Sequence, residues 1–335
     1  MTRFGITGTG RISDWVLKGA VQDSRFTAVA VCSRSRERGE EFIRRHPEAF
    51  ADDAQVFTSI EEMAACPEVD AIYIGTPNST HCSYTLAALA AGKHVLCEKP
   101  LGCNAGEVRQ MIEASRRSGK ALMEAMVSTL NPNFRAAREM LPSIAPVRHY
   151  NSSFCQYSSR YEDLKKGIVS NSFNPLSGGG ASGDVGIYTT YPAVVLFGRP
   201  QSVKSNIVRL DTAFGPTDVH GTIELEYPGM TAVLSYSKVI DSFLPTDICG
   251  EKGNILMDEI HICRSLSFCP HGAPTSGRGG KPVPTVVSSG LGKDEYFYEF
   301  EEFISMIGRG VIESEVNSHE ISLINREILD AALAL

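Results

Sequence analysis

The chain has 335 residues, a formal net charge of −7, 42% hydrophobic residues and 21% charged residues. That length holds one large domain or two of ordinary size, with enough buried surface to need no disulfide or metal staple. The acidic balance, with Lys and Arg scattered, excludes the basic stripe of a nucleic-acid partner and the polybasic anchor of an anionic membrane. The chain enters an apolar strand directly after Met1-Thr2-Arg3, with no charged-then-apolar leader. No apolar run approaches the roughly 18 residues that span a bilayer. Short apolar runs at Phe4–Thr7, Ala28–Cys32, Ala71–Ile74 and Val95–Cys97 suit buried parallel strands. Helical stretches lie between them, at Ile12–Val21, Ser35–Arg45, Ser79–Ala91 and Asn104–Ser118. In the last, Val108, Met111, Ile112 and Ser115 recur at helical spacing. A further strand, Ala121–Ala125, and a helix from Asn133 close this region.

Strand–helix alternation predicts a doubly wound parallel sheet over residues 1–125. From Val147 the pattern changes to alternating stretches, at Ser202–Leu210, Val219–Tyr227 and Thr231–Lys238. Ile223, Leu225 and Tyr227 alternate with Thr222, Glu224 and Glu226, as in a sheet with one wet face. Pro228-Gly229 reads as a hairpin turn. A helix is expected at Ser182–Phe197, a surface loop at Cys269–Gly280, and final helices at Tyr296–Gly308 and Glu320–Leu335. Residues 126–335 are therefore expected to form an α+β domain with a large, mainly antiparallel open sheet, its final helices packing back on either domain.

Gly8-Thr9-Gly10-Arg11-Ile12-Ser13 follows the first strand and opens the first helix, where a pyrophosphate-binding turn belongs. Gly8 permits the tight turn, Gly10 lets the backbone approach phosphates, and Ser13 stands small at the third glycine position. The helix start, at Arg11 and Ile12, offers amide groups and positive dipole to an anion. At the tip of the second strand, Ser33 and Arg34 stand where an NAD-binding protein often places Asp or Glu. Ser33, Arg34 and Arg38 suit a ribose 2′-phosphate and so NADP(H), with NAD left open because Glu37 could turn inward. Thr76, Pro77, Asn78 and His81 follow the strand Ala71–Ile74, and Glu98-Lys99-Pro100 follows Val95–Cys97. Both stretches lie at the carboxyl edge where open α/β sheets bind ligands.

With these motifs in this order and spacing, the chain resembles the Gfo/Idh/MocA oxidoreductases over nearly its whole length. Within that family the stretch Phe154–Gly198 looks closest to the dihydrodiol dehydrogenase branch. The resemblance implies a cofactor-side role for Glu98 and places Lys99 near the nicotinamide and the reacting oxygen. It also implies a cis Lys99–Pro100 bond. Gly178-Gly179-Gly180-Ala181-Ser182-Gly183-Asp184-Val185-Gly186-Ile187-Tyr188 matches the family's glycine-rich turn and helix. It implies that Asp184 and Tyr188 meet the substrate. Ser128-Thr129 depart from the aromatic–Arg pair that many relatives carry.

The expected activity is reversible hydride transfer between nicotinamide and a carbinol or carbonyl carbon of a sugar, polyol or diol. A free tyrosine titrates near about 10, and a neighbouring ammonium favours its phenolate, so Tyr188 is the expected proton carrier beside Lys99. Lys99 as the proton carrier remains the alternative, with Tyr188 only positioning. Asp184 would hold a substrate hydroxyl or orient Lys99. Two other functions stay open: a cofactor-binding sensor without turnover, and an eliminase that oxidises and reduces in turn. His261, Cys263, Cys269 and His271 offer zinc-ligand types, but their spacing fits no standard finger and no metal is expected. No G-x-S-x-G elbow supports a hydrolase. An odd nine cysteines without C-x-x-C point to a reduced, cytoplasmic protein. A half-covered sheet predicts a homodimer or larger homo-oligomer.

Overall fold

The short apolar runs of the N-terminal half become strands β1 (Thr2–Thr7), β2 (Phe26–Cys32), β3 (Phe50–Phe57), β4 (Ala71–Ile74), β5 (His94–Glu98) and β6 (Leu122–Ala125). They form one parallel sheet in the order β3-β2-β1-β4-β5-β6. The order reverses between β1 and β4, which opens a crevice at their carboxyl ends. Helices α1 (Arg11–Ala20), α2 (Arg36–Arg45), α3 (Ile60–Ala65), α4 (His81–Ala90) and α5 (Ala105–Ser118) connect the strands. The local chemistry sets the helix ends. Ser35 accepts from the Arg38 amide, and Asn104 accepts from the Glu107 amide. Gly119, at φ +66°, ends α5 in the left-handed conformation. Val108, Met111, Ile112 and Ser115 are all buried.

Computed structural model coordinates describe residues 1–272, 275 and 282–335. The chain divides into two compact units, Met1–Val127 with Lys293–Arg326, and Ser128–Gly292 with Glu327–Leu335. A single cut after residue 125 therefore omits the return of residues 293–326 to the first unit. The helix Phe297–Arg309 presents an apolar stripe. Phe300 meets Phe4 at 5.5 Å and Phe26 edge-on at 5.4 Å, and Phe303 meets Phe4 at 6.1 Å between ring centroids. Such buried aromatics dominate core energetics.

The second unit carries β7 (Val147–Cys155), β8 (Ser202–Thr212), β9 (Gly215–Tyr227), β10 (Met230–Ser237), β11 (Thr246–Gly250), β12 (Gly253–Met257), β13 (Ser265–Pro270) and β14 (Thr285–Ser289). Their order is β14-β13-β12-β11-β7-β10-β9-β8. Only β7 and β10 run parallel; every other neighbouring pair is antiparallel. Gly229, at φ +72°, makes the β9–β10 turn, with Tyr227 opposite Met230. Ile223, Leu225 and Tyr227 are buried, while Glu226 and Glu224 face out to Ser202 and Lys204. The helix expected at 182–197 opens with a π-helical turn, Ser182–Gly186, before the α-helix Ile187–Phe197. The loop expected over 269–280 starts later, because Cys269 and Pro270 pair with β12. Its residues 273, 274 and 276–280 lie outside the described residues.

Candidate active site

In the first unit, the crevice is built by the turns after β1, β4 and β5. Gly8 has φ +84°, and a Cβ there would stand 2.4 Å from the Gly75 carbonyl oxygen. Only glycine fits so close an approach of two strand ends. Gly10 caps α1 without a side-chain bond, and a Cβ built on it meets nothing within 4 Å. The leading amides of α1 therefore keep an open approach. Ser13 is buried, and its Oγ lies 3.0 Å from where a Gly75 Cβ would be, so α1 and the turn after β4 pack closely here. Arg11 is exposed above the Trp15 ring at 5.9 Å, and Ile12 is half-buried.

At the β2 tip, Ser33 is buried and its amide donates to the Phe57 carbonyl at 3.0 Å. Arg34, Glu37 and Arg38 are exposed. After β4, the Thr76 and Thr80 hydroxyls lie 2.7 Å apart, and Thr80 donates to the Pro77 carbonyl at 2.7 Å. Asn78 begins a short 3-10 turn, Asn78–Thr80. His81 was expected to touch cofactor, but its ring is wholly buried. It spans the Pro100 carbonyl through Nδ1 and the Thr76 carbonyl through Nε2, both at 2.9 Å. Burial pushes its pKa down. Its geometry ties two loops together.

The segment Glu98–Leu101 is held from three sides. The Lys99–Pro100 peptide is cis. The Tyr73 hydroxyl donates to Glu98 at 2.8 Å, the Leu101 amide donates to Glu124 at 2.8 Å, and His81 meets the Pro100 carbonyl. Lys99 is half-buried between these anchors. Burial pushes the Glu98 and Glu124 carboxyls up to about 7. Glu299, on the Phe297–Arg309 helix, is also fully buried, and its carboxyl has no hydrogen-bond partner among the described residues. Burial first, then the Glu98 charge, drives it well above the usual carboxylate range. Tyr73 and Glu124 escaped the sequence reading; a charged residue inside the buried strand Leu122–Ala125 was the available signal for Glu124.

In the second unit, Asp184 sits in the π turn and Tyr188 in the α-helix that follows. Such turns concentrate at functional sites. Asp184 accepts from Lys238 Nζ at 2.6 Å. Lys238 is buried, donates to the Ser172 carbonyl at 2.7 Å, and lies 4.3 Å over the Phe173 ring. A buried ammonium needs such compensation, so this pair also fixes where the Asp184 carboxylate points. Asp218 accepts the Ser182 amide at 2.6 Å, and a Cβ on Gly180 would stand 2.2 Å from its Oδ1. The glycine-rich turn thus makes room for the carboxylate that seats the helix start. Lys238 had no sequence signal, because its partner lies 54 residues away.

Residues 2–126 match the family model GFO_IDH_MocA, described as an oxidoreductase family with an NAD-binding Rossmann fold. Residues 134–256 match a C-terminal domain model of the same family. The chain belongs to the Gfo/Idh/MocA oxidoreductase family. A relative from Bacillus subtilis (strain 168), scyllo-inositol 2-dehydrogenase (NADP(+)) IolU, is 40% identical over 99% of this chain and 96% of its own. Trans-1,2-dihydrobenzene-1,2-diol dehydrogenase from Xenopus laevis is 31% identical over 99% of this chain and 97% of its own. A solved 3-ketoreductase from Actinomadura kijaniata, in complex with NADP and TDP-benzene, superposes with a TM-score of 0.83. It is 21% identical, over 99% of this chain and 97% of that one, and shows the shared fold.

As in other Gfo/Idh/MocA members, the dinucleotide belongs to the first unit, and the residues present fit it. The open space before Gly10, the uncapped start of α1 and the close β1–β4 turns form a cradle for a pyrophosphate. No cluster of metal-ligating residues occurs among the described residues. No described helix is long and apolar enough to cross a membrane.

Proposed function

We propose that this oxidoreductase is an NADP(H)-dependent dehydrogenase of small polyhydroxylated rings or vicinal diols. The observation that carries the reading is the Lys99 segment, fixed at three points at the carboxyl edge of a dinucleotide-binding sheet. When bound, the nicotinamide supplies or accepts the hydride. Gly8, Gly10, Arg11, Ile12, Thr76, Pro77, Asn78 and Glu98 serve its binding, with His81 holding two of those loops. Ser33, Arg34 and Arg38 bind the 2′-phosphate. Arg offers planar, bidentate donors to phosphate, and no carboxylate stands at the strand tip to repel it. The relative named for NADP(+) supports this choice.

Tyr188 exchanges the proton with the reacting oxygen, and the Lys99 ammonium stabilises negative charge on that oxygen. Asp184, aimed by Lys238, accepts from a neighbouring substrate hydroxyl. The named relatives act on an inositol and a vicinal diol, which supports the substrate class. The first unit is the cofactor domain, and the second the substrate and oligomerisation domain. Exposed Val208, Phe214, Val286 and Val287 on and beside the large sheet support a homo-oligomer. All nine cysteines are free thiols, which supports a reduced cytoplasmic setting.

The test is absorbance at 340 nm with scyllo-inositol and with trans-1,2-dihydrobenzene-1,2-diol, each with NADP+ and NAD+. Turnover with NADP+ is expected, with a loss of at least about 100-fold in Tyr188→Phe. No turnover on either substrate, or near-normal turnover in Tyr188→Phe, overturns the corresponding assignment.

A further inference from the structure

The rings around Tyr188 form an arrangement that proton transfer alone does not explain. Phe154, on β7, stacks on His261 at 4.4 Å and 22°, and meets Tyr188 edge-on at 5.3 Å. His261 itself meets Tyr188 edge-on at 6.2 Å. All three rings are only partly buried, so the cluster has an open side.

His261 lies in the turn between β12 and β13. Burial, with the Arg264 charge nearby, pushes its pKa down to about 4, so the ring is neutral at physiological pH. A neutral imidazole carries one donor and one acceptor. Its Nδ1 is shielded and has no hydrogen-bond partner among the described residues. The Glu259 carboxylate stands 3.7 Å from it, beyond hydrogen-bond reach but close enough to favour a proton there. Nε2 also makes no hydrogen bond among the described residues, and it is not shielded. The outer nitrogen of a stacked, neutral ring is therefore a polar group held in place with no partner among the described residues.

We propose that His261 is a substrate-recognition residue for a cyclic polyol or ring diol, accepting a rim hydroxyl at Nε2 while the Phe154–His261 stack covers the ring's C–H face. This rests on the reading that Tyr188 serves the reacting carbon. The chemistry selects rings. A cyclic polyol has a flat C–H face for aromatic contact and a rim of hydroxyls. An extended acyclic polyol has the hydroxyls without the face. Asp184, aimed by Lys238, reads a second hydroxyl.

The experiment is steady-state kinetics with saturating NADP+ on scyllo-inositol and on the acyclic hexitol sorbitol. It compares wild type, His261→Phe, which keeps the stack and removes the nitrogen, and His261→Gln, which keeps a polar tip. His261→Phe should raise KM for scyllo-inositol about tenfold, the effect of one lost hydrogen bond, with kcat changed by less than about threefold. Its NADP+ dissociation constant should not move, and His261→Gln should recover part of KM. The preference for scyllo-inositol over sorbitol should shrink in His261→Phe. An unchanged KM in His261→Phe, with wild type active, overturns this inference and leaves the function standing. A wild type that turns over no cyclic polyol or diol overturns the function, and this inference with it.

Discussion

The two ends of the first unit's ligand edge are built in opposite ways. At the β5 end, Glu98–Leu101 is held by Tyr73, Glu124 and His81, all buried. At the β2 end, Arg34 and Arg38 stand exposed on an Asn/Ser-style helix start, with Ser35 as the cap. The first end is preorganised, so its groups need no reordering when charge develops. The second is exposed to solvent, so each contact contributes less. In the proposed function, chemistry falls to the fixed end and cofactor choice to the adjustable one. The same fold can therefore change its cofactor without touching its reaction.

The largest effect that tests this contrast is Lys99→Met. Turnover should fall at least about 100-fold, with the NADP+ dissociation constant within a factor of about three. Comparable losses in binding and turnover would merge the two ends into one function. Next comes pH. Glu98, Glu124 and Glu299 are raised by burial, so the folded chain holds protons that the unfolded chain releases above about pH 4.5. The contribution of Glu98 and Glu124 to stability is complete below that pH and is lost as pH rises through about 7, and that of Glu299 is lost in the same direction. Unfolding free energy in urea should fall between pH 5 and 8 by on the order of a few kcal/mol, and less in Glu299→Gln. A flat profile in wild type would show that these carboxyls are not held neutral.

Arg34→Ala should reduce the NADP+ over NAD+ preference about tenfold, equivalent to roughly 1.4 kcal/mol, and leave NAD+ binding unchanged. Tighter NAD+ than NADP+ in wild type would reverse the assignment of the β2 tip. The smallest effect expected is in Tyr73→Phe. Loss of its hydrogen bond to Glu98 should lower stability by about 1 kcal/mol and slow turnover more than it weakens NADP+ binding. Equal effects on both would mean that Tyr73 serves only the core.

What could be read from the sequence follows from where each signal resides. Strands β1, β2, β4, β5 and β6 are buried on both faces and write themselves as apolar runs. Strand β3 is an edge, and its exposed Asp52 and Asp53 hide it among polar residues. Strands β11 and β12 are five residues each, joined across Gly250 and Gly253, too short to show a period. The candidate site was legible where its residues form a local motif, as in the Gly8 turn, Glu98-Lys99-Pro100 and Asp184 with Tyr188. It was hidden where contacts are long-range. Neither Lys238 on Asp184 nor the ring of His261 on Phe154 leaves a mark in neighbouring residues. Amphipathic spacing in Phe297–Arg309 shows that one face is buried, but not against which sheet.

That helix has a consequence for the order of events at the ribosome. Phe4 and Phe26 leave the exit tunnel long before the rings that cover them, Phe300 and Phe303, are translated. The Leu122 amide likewise waits for the Ile312 carbonyl. Throughout synthesis of the second unit, the nascent first unit keeps an uncovered aromatic patch, each ring worth about 1.5–3 kcal/mol when buried. Nascent chains stalled before residue 297 should therefore engage chaperones, and emergence of residues 297–312 should act as the closing step that covers this patch.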